Sequence, residues 1–172
     1  MRNKIIISFA LLAILWLLVI ADTILPGEFY KAGIEPRSTS GLFGILFAPF
    51  IHANFSHILS NSLPIFLLTL ALLIFYEKIA FQVWIFSALI GGALTWLLAQ
   101  LVWDPTPGVT DIHFGVSGVI FSLIGFFIAS GIFRRSLKSI LLAIIVLFIY
   151  GGTVLTGVLP INPYISWQGH LF

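Results

Sequence analysis

Five long runs of this sequence are almost free of charge, and that restricts the fold more than any other feature. They cover residues 5–25, 55–76, 79–103, 116–133 and 139–159, and Asp22 is the only Asp, Glu, Lys or Arg inside them. As helices rising about 1.5 Å per residue, each is long enough to cross most or all of a hydrocarbon core about 30 Å thick. Backbone amides in lipid must be bonded within the segment, and runs of this length do that as helices. Only 8% of the 172 residues are charged and 60% are hydrophobic, whereas a soluble domain carries roughly a quarter charged residues. The expected fold is therefore all-α, a polytopic membrane helical bundle, with residues 1–172 read as a single transmembrane domain. A sixth helix begins at residues 164–172. Residues 41–50 are apolar and aromatic but too short to span, and read as a segment lying in the interface.

The first run is preceded by Arg2 and Lys4 and followed by Pro26-Gly27. It exceeds the roughly 7–15 apolar residues of a signal peptide, so a retained span is expected. With the N-terminus in the cytoplasm and spans alternating, Arg2, Lys4, Lys78, Arg134, Arg135 and Lys138 all fall inside, and only Lys31 and Arg37 outside. The positive-inside rule selects that orientation, in the cell membrane. The net charge of +2 is too small to argue for nucleic acid, and the absence of cysteine removes disulfides, thiolate nucleophiles and Cys-ligated metals.

Under this topology His52, His57, His113 and His170 all lie near the outer face, and so does Ser117. Polar and ionisable side chains at membrane depth are costly, so their default reading is functional. His57 and Asn61 are four residues apart and share a helix face; alone, they read equally well as interhelical hydrogen bonds. Ser117 lies in Gly115-Val116-Ser117-Gly118. Alone, a serine in such a helix start is usually packing or a cap. It is not the nucleophile elbow, because position 119 is Val. Gly115 and Gly118 nevertheless clear space around its hydroxyl. Gly118, Ser122, Gly125 and Ala129 put small residues on one face of the same run, so close backbone approach and a central place in the bundle are expected. Gly91-Gly92 reads as another close-packing point. His170 follows Gly169, which permits tight packing; if the fourth and sixth helices touch, His170 can reach Ser117. A serine hydroxyl needs such a base to become a nucleophile. Asp22, Asp104 and Asp111 sit in loops or at ends, so a Ser–His dyad is expected rather than a triad. His57, Asn61 and the Ser117 N–H are then available to meet an oxyanion.

At this point the chain resembles the rhomboid family of intramembrane serine proteases. The resemblance rests on His52-Ala-Asn-Phe-Ser-His57-Ile-Leu-Ser-Asn61 in span two, Gly115-Val-Ser117-Gly118 opening span four and Gly169-His170 opening span six. It implies a six-helix core, Ser117 as nucleophile, His170 as general base, and His57 and Asn61 as oxyanion-hole side chains. It implies a supporting place for His52 and an aromatic ring, Phe121, against the catalytic histidine. The substrates implied are transmembrane segments of other proteins, cut near the outer face, with no cofactor and no metal.

The sequence departs from the family pattern twice. A Trp-Arg pair common in the family's first loop is replaced by Glu35-Pro-Arg37. The sequence also stops at Phe172, two residues after His170, giving about 14 Å of sixth helix, roughly half a bilayer core. The expectation is a truncated sixth helix that holds His170 poorly, with weak or absent activity. Two alternatives stay open: an inactive rhomboid-like protein that binds transmembrane segments without cutting them, and a His-lined divalent-metal transporter.

Overall fold

The computed structural model describes residues 1–25, 27–99, 112–160 and 166–172. Its long helices are α1 (Arg2–Ile24), α3 (Phe55–Phe75), α4 (Ala80–Leu98), α5 (Ser117–Arg134) and α6 (Leu137–Val158), and each is long and apolar enough to cross a membrane. Two shorter helices complete the set, α2 (Thr39–Phe47) and α7 (Trp167–Leu171). The expected runs agree with these helices to within a few residues. Residues 100–103 of the third run, most of the loop that follows it (with Asp104 and Asp111), and most of the Pro160-Ile-Asn-Pro turn lie outside the described residues.

Helix α5 is central, as expected, packing against α3, α4, α6 and α7. The reason differs in part from the small-residue stripe. Its buried face is mostly one of large apolar side chains, Val119, Ile120, Leu123, Ile124 and Phe127, followed by Ser130 and Gly131. These meet Ile58, Ile65, Leu68 and Leu72 of α3 and Leu142 and Val146 of α6 in one core. Lipid is as apolar as these side chains, so close packing rather than escape from water holds such a core together. Small residues bring α5 close to α6 at Gly131, where an added Cβ would lie 2.5 Å from Ala143 Cβ, and close to α7 and α4 at the other end. A Cβ on Gly118 would stand 2.9 Å from the Gly169 carbonyl oxygen, and one on Gly91 would stand 3.6 Å from Ser122 Oγ. Among the described residues nothing lies within 4 Å of a Cβ added at Gly125, which corrects that part of the stripe reading. A period of three and four cannot tell which stretch of a face a short neighbour will cover.

Two contacts mark the end of the bundle away from Ser117. Lys4 Nζ reaches Glu77 Oε2 at 2.6 Å, and the Arg134 guanidinium lies 5.1 Å from the centre of the Tyr76 ring, a cation–π distance. At the other end α2 leaves Leu42, Phe43, Leu46 and Phe47 exposed. Its Gly41 and Gly44 sit directly on the backbone of residues 33–35. The Glu35-Pro-Arg37 turn is clamped by a tryptophan from another element. Arg37 N–H donates to the Trp96 carbonyl at 3.0 Å, and Trp96 Nε1–H donates to the Ser38 carbonyl at 2.8 Å.

Candidate active site

Gly115 sets the entry to α5. Its φ of +113° lies where a side chain is strained and glycine is not. Its N–H donates to the Ala48 carbonyl at 2.8 Å. This turn makes Ser117 the first residue of α5, where backbone N–H groups lack intrahelical acceptors. The hydroxyl, half-buried, lies 2.8 Å from His170 Nε2. Residues 53 positions apart in sequence therefore meet because α7 docks on the opening turn of α5.

His170 is held on three sides, so the expectation of a poorly held imidazole is not met. Beyond Ser117, its Nδ1 lies 3.1 Å from the Gly157 carbonyl at the end of α6. A carbonyl only accepts, so Nδ1 carries the proton and Nε2 is left with a lone pair toward the Ser117 O–H. The Phe121 ring stacks on the imidazole, with centroids 4.2 Å apart and planes 8° from parallel. Gly157 has no room for a side chain: a Cβ there would run into the Phe121 ring and stand 3.2 Å from His170 Nδ1. The orienting group that no carboxylate supplies on sequence grounds is thus a backbone oxygen, and sequence reading missed it. Gly157 gave no distinct signal, because Gly151 and Gly152 precede it in the same span.

His57 and Asn61 follow from the start of α3. Asn54 caps that helix, its side chain accepting from His57 N–H at 2.9 Å; an Asn just before an apolar run is a readable cap. The His57 ring faces Gly115, whose added Cβ would stand 3.0 Å from His57 Nε2 and 3.6 Å from Ser117 Oγ. Ala53 N–H approaches His57 Nδ1 at 3.4 Å, which leaves Nε2 as the protonated nitrogen. Asn61 is buried, and its Nδ2 finds no acceptor among the described residues. A buried amide without a partner costs about 1–3 kcal/mol, and such groups call for a functional explanation. His52 is 2% exposed and receives a long hydrogen bond, 3.5 Å, from Val116 N–H. Burial, then the neighbouring His57, lowers its pKa to about 4, so it stays neutral at physiological pH.

An open cleft lies over the pair, lined by Ser117, His170, Gly115, Gly118 and Gly169 on one side and by α4 residues such as Ser87 on the other. His57 and Asn61 lie outside this lining, with His57 reached across Gly115. The four histidines share one end of the bundle. Among the described residues, however, no three His, Asp or Glu side chains gather as a metal-holding group, which leaves the metal-transport alternative without a ligand set there. A serine hydroxyl 2.8 Å from an imidazole nitrogen that carries no proton is a pair that can give up the hydroxyl proton to the ring.

The Rhomboid domain family model matches residues 39–172. An uncharacterised protein of Mycobacterium tuberculosis is 37% identical over 166 residues, covering 92% of this chain and 66% of its own length. One from Mycobacterium leprae is 39% identical over 167 residues, covering 93% of this chain and 63% of its own. The Bacillus subtilis protein YdcA, which carries the provisional name rhomboid protease, is 30% identical over 167 residues, 95% of this chain and 79% of its own length. The chain thus spans just under two thirds of the mycobacterial relatives. No solved structure gives a significant match. With its matched domain covering most of the sequence, this multi-pass membrane protein belongs to the rhomboid family.

Proposed function

We propose that this protein is an intramembrane serine endopeptidase that cleaves transmembrane segments of other membrane proteins near the extracytoplasmic face of the cell membrane, with Ser117 and His170 as a catalytic dyad. The observation that carries the reading is the 2.8 Å contact from Ser117 Oγ to His170 Nε2, with the other ring nitrogen on the Gly157 carbonyl.

His170 Nε2 takes the hydroxyl proton as Ser117 Oγ bonds to the substrate carbonyl carbon. The oxyanion that forms is met by His57 Nε2–H, the Asn61 amide and the Ser117 N–H. Collapse breaks the C–N bond, and His170 returns its proton to the leaving amine. Water then attacks the acyl-enzyme, with His170 again as base, and releases the new carboxylate and the free hydroxyl. A helical substrate hides its amides in its own hydrogen bonds, so it must unwind locally; Gly and Pro near the cut favour that. The basic residues at the far end of the bundle support a cytoplasmic N-terminus by the positive-inside rule, with the cleft on the outer side.

A serine-directed fluorophosphonate tests the reading. The protein in lipid vesicles becomes labelled on Ser117, and His170→Ala slows labelling by about 10²-fold or more. Absence of an adduct, or an adduct elsewhere, overturns it. Asn61→Ala lowers kcat for a transmembrane substrate by about 10²-fold with KM little changed, the signature of a donor used only in the transition state; steady-state kinetics against a peptide series checks the split.

A further inference from the structure

A second histidine–serine contact lies beside the first, and the chemistry above leaves it without a task. His113 Nδ1 stands 2.5 Å from Ser166 Oγ. Ser166 is the residue that opens α7, yet its hydroxyl caps nothing in that helix. Its carbonyl accepts the His170 N–H at 3.2 Å. The hydroxyl passes so close to Gly169 that a Cβ there would lie 2.7 Å from it, so glycine at 169 is what lets the contact form. His113 is itself immobilised. It is 7% exposed, and its backbone exchanges two 2.8 Å hydrogen bonds with Ile34. The Ile34 side chain in turn packs toward Gly92 of α4.

Ser166 and His170 are one helical turn apart, and the Ser166 carbonyl accepts the His170 N–H, so a contact at Ser166 bears on the rotation that carries His170. We propose that His113 is a positioning residue: by gripping Ser166 it sets the rotation of α7 and so holds His170 Nε2 on Ser117. The effect on catalysis rests on the proposed function above; the effect on α7 does not. An error near 1 Å in such a pair costs up to about 10²-fold, and a brace with other contacts in support accounts for about tenfold.

Two readouts separate these statements. For catalysis, His113→Ala and Ser166→Ala each lower kcat and the rate of Ser117 labelling about tenfold with KM within about twofold. The double variant is no worse than either single one, because both remove the same bond. His113→Asn, whose amide stands near the Nδ1 position, recovers most of the rate, and His113→Gln does not. For geometry, the absence of native cysteine permits a clean cross-link between Gly91→Cys and Phe172→Cys, since a Cβ at 91 would lie 3.5 Å from the Phe172 carbonyl oxygen. Oxidative cross-linking is several-fold slower with His113→Ala or Ser166→Ala and is restored by His113→Asn. Unchanged cross-linking in both alanine variants, or additive kinetic losses, overturns the brace. Slower cross-linking in a protein that never labels at Ser117 upholds the brace and removes the protease reading.

Discussion

Ser117→Ala leaves cleavage of a transmembrane substrate at least about 10³-fold below the unaltered protein, which in a gel-based assay is no product at all. The size follows from what the hydroxyl does: it is the group that lies on His170 Nε2, and water there lacks the fixed position a covalent nucleophile has. The variant should fold normally. Ser117 is not among the buried residues of α5, and the Gly157 bond and the Phe121 stack that hold His170 do not pass through it. The two readouts are cleavage in reconstituted vesicles and the thermal unfolding midpoint, and the expected pattern is total loss of the first with the second within a few degrees. Cleavage that persists at the original rate means another group performs the attack. Loss of both together means Ser117 is structural.

How far this site was legible in the sequence depends on which atoms build it. Spans were legible because one quantity, hydropathy over about twenty residues, decides them. Ser117, His170, His57 and Asn61 stood out because polar groups at that depth demand a reason, and the rhomboid resemblance gathered them. The group that fixes the His170 tautomer was invisible, since the Gly157 carbonyl has no side-chain signature and its value lies in where α6 ends. His113 illustrates the same limit. As one of four histidines near one face it was visible as a type, but its place beside Ser166 depends on its own backbone bridge to Ile34, which no local pattern encodes. Gly125 fails in the opposite direction: it belongs to a regular stripe, yet among the described residues nothing lies within 4 Å of a Cβ added there. Residue type was readable where chemistry is expensive, and unreadable where geometry alone confers the role.

Gly157→Ala is expected to lower both cleavage and Ser117 labelling by about 10²-fold, although it adds one methyl group to an exit turn that no substrate atom need touch. The added carbon would overlap the Phe121 ring and stand 3.2 Å from His170 Nδ1. Phe121 cannot yield without giving up its stack on the imidazole, whose centroid is 4.2 Å away. Alternatively α6 must withdraw, taking with it the carbonyl that holds the Nδ1 proton. Either relief turns His170 away from Ser117. Gly152→Ala is the matched control on the same helix: among the described residues nothing lies within 4 Å of its added carbon, and alanine is the better helix former by up to about 1 kcal/mol, so that variant keeps full activity and gains slightly in stability. The comparison is decided by relative kcat/KM and by the pH dependence of labelling. Losing the carbonyl contact removes the bond that fixes the base, so Gly157→Ala should change the acidic limb of the profile as well as its height, whereas Gly152→Ala should change neither. Equal activity in the two variants would show that the Gly157 carbonyl does not orient the imidazole.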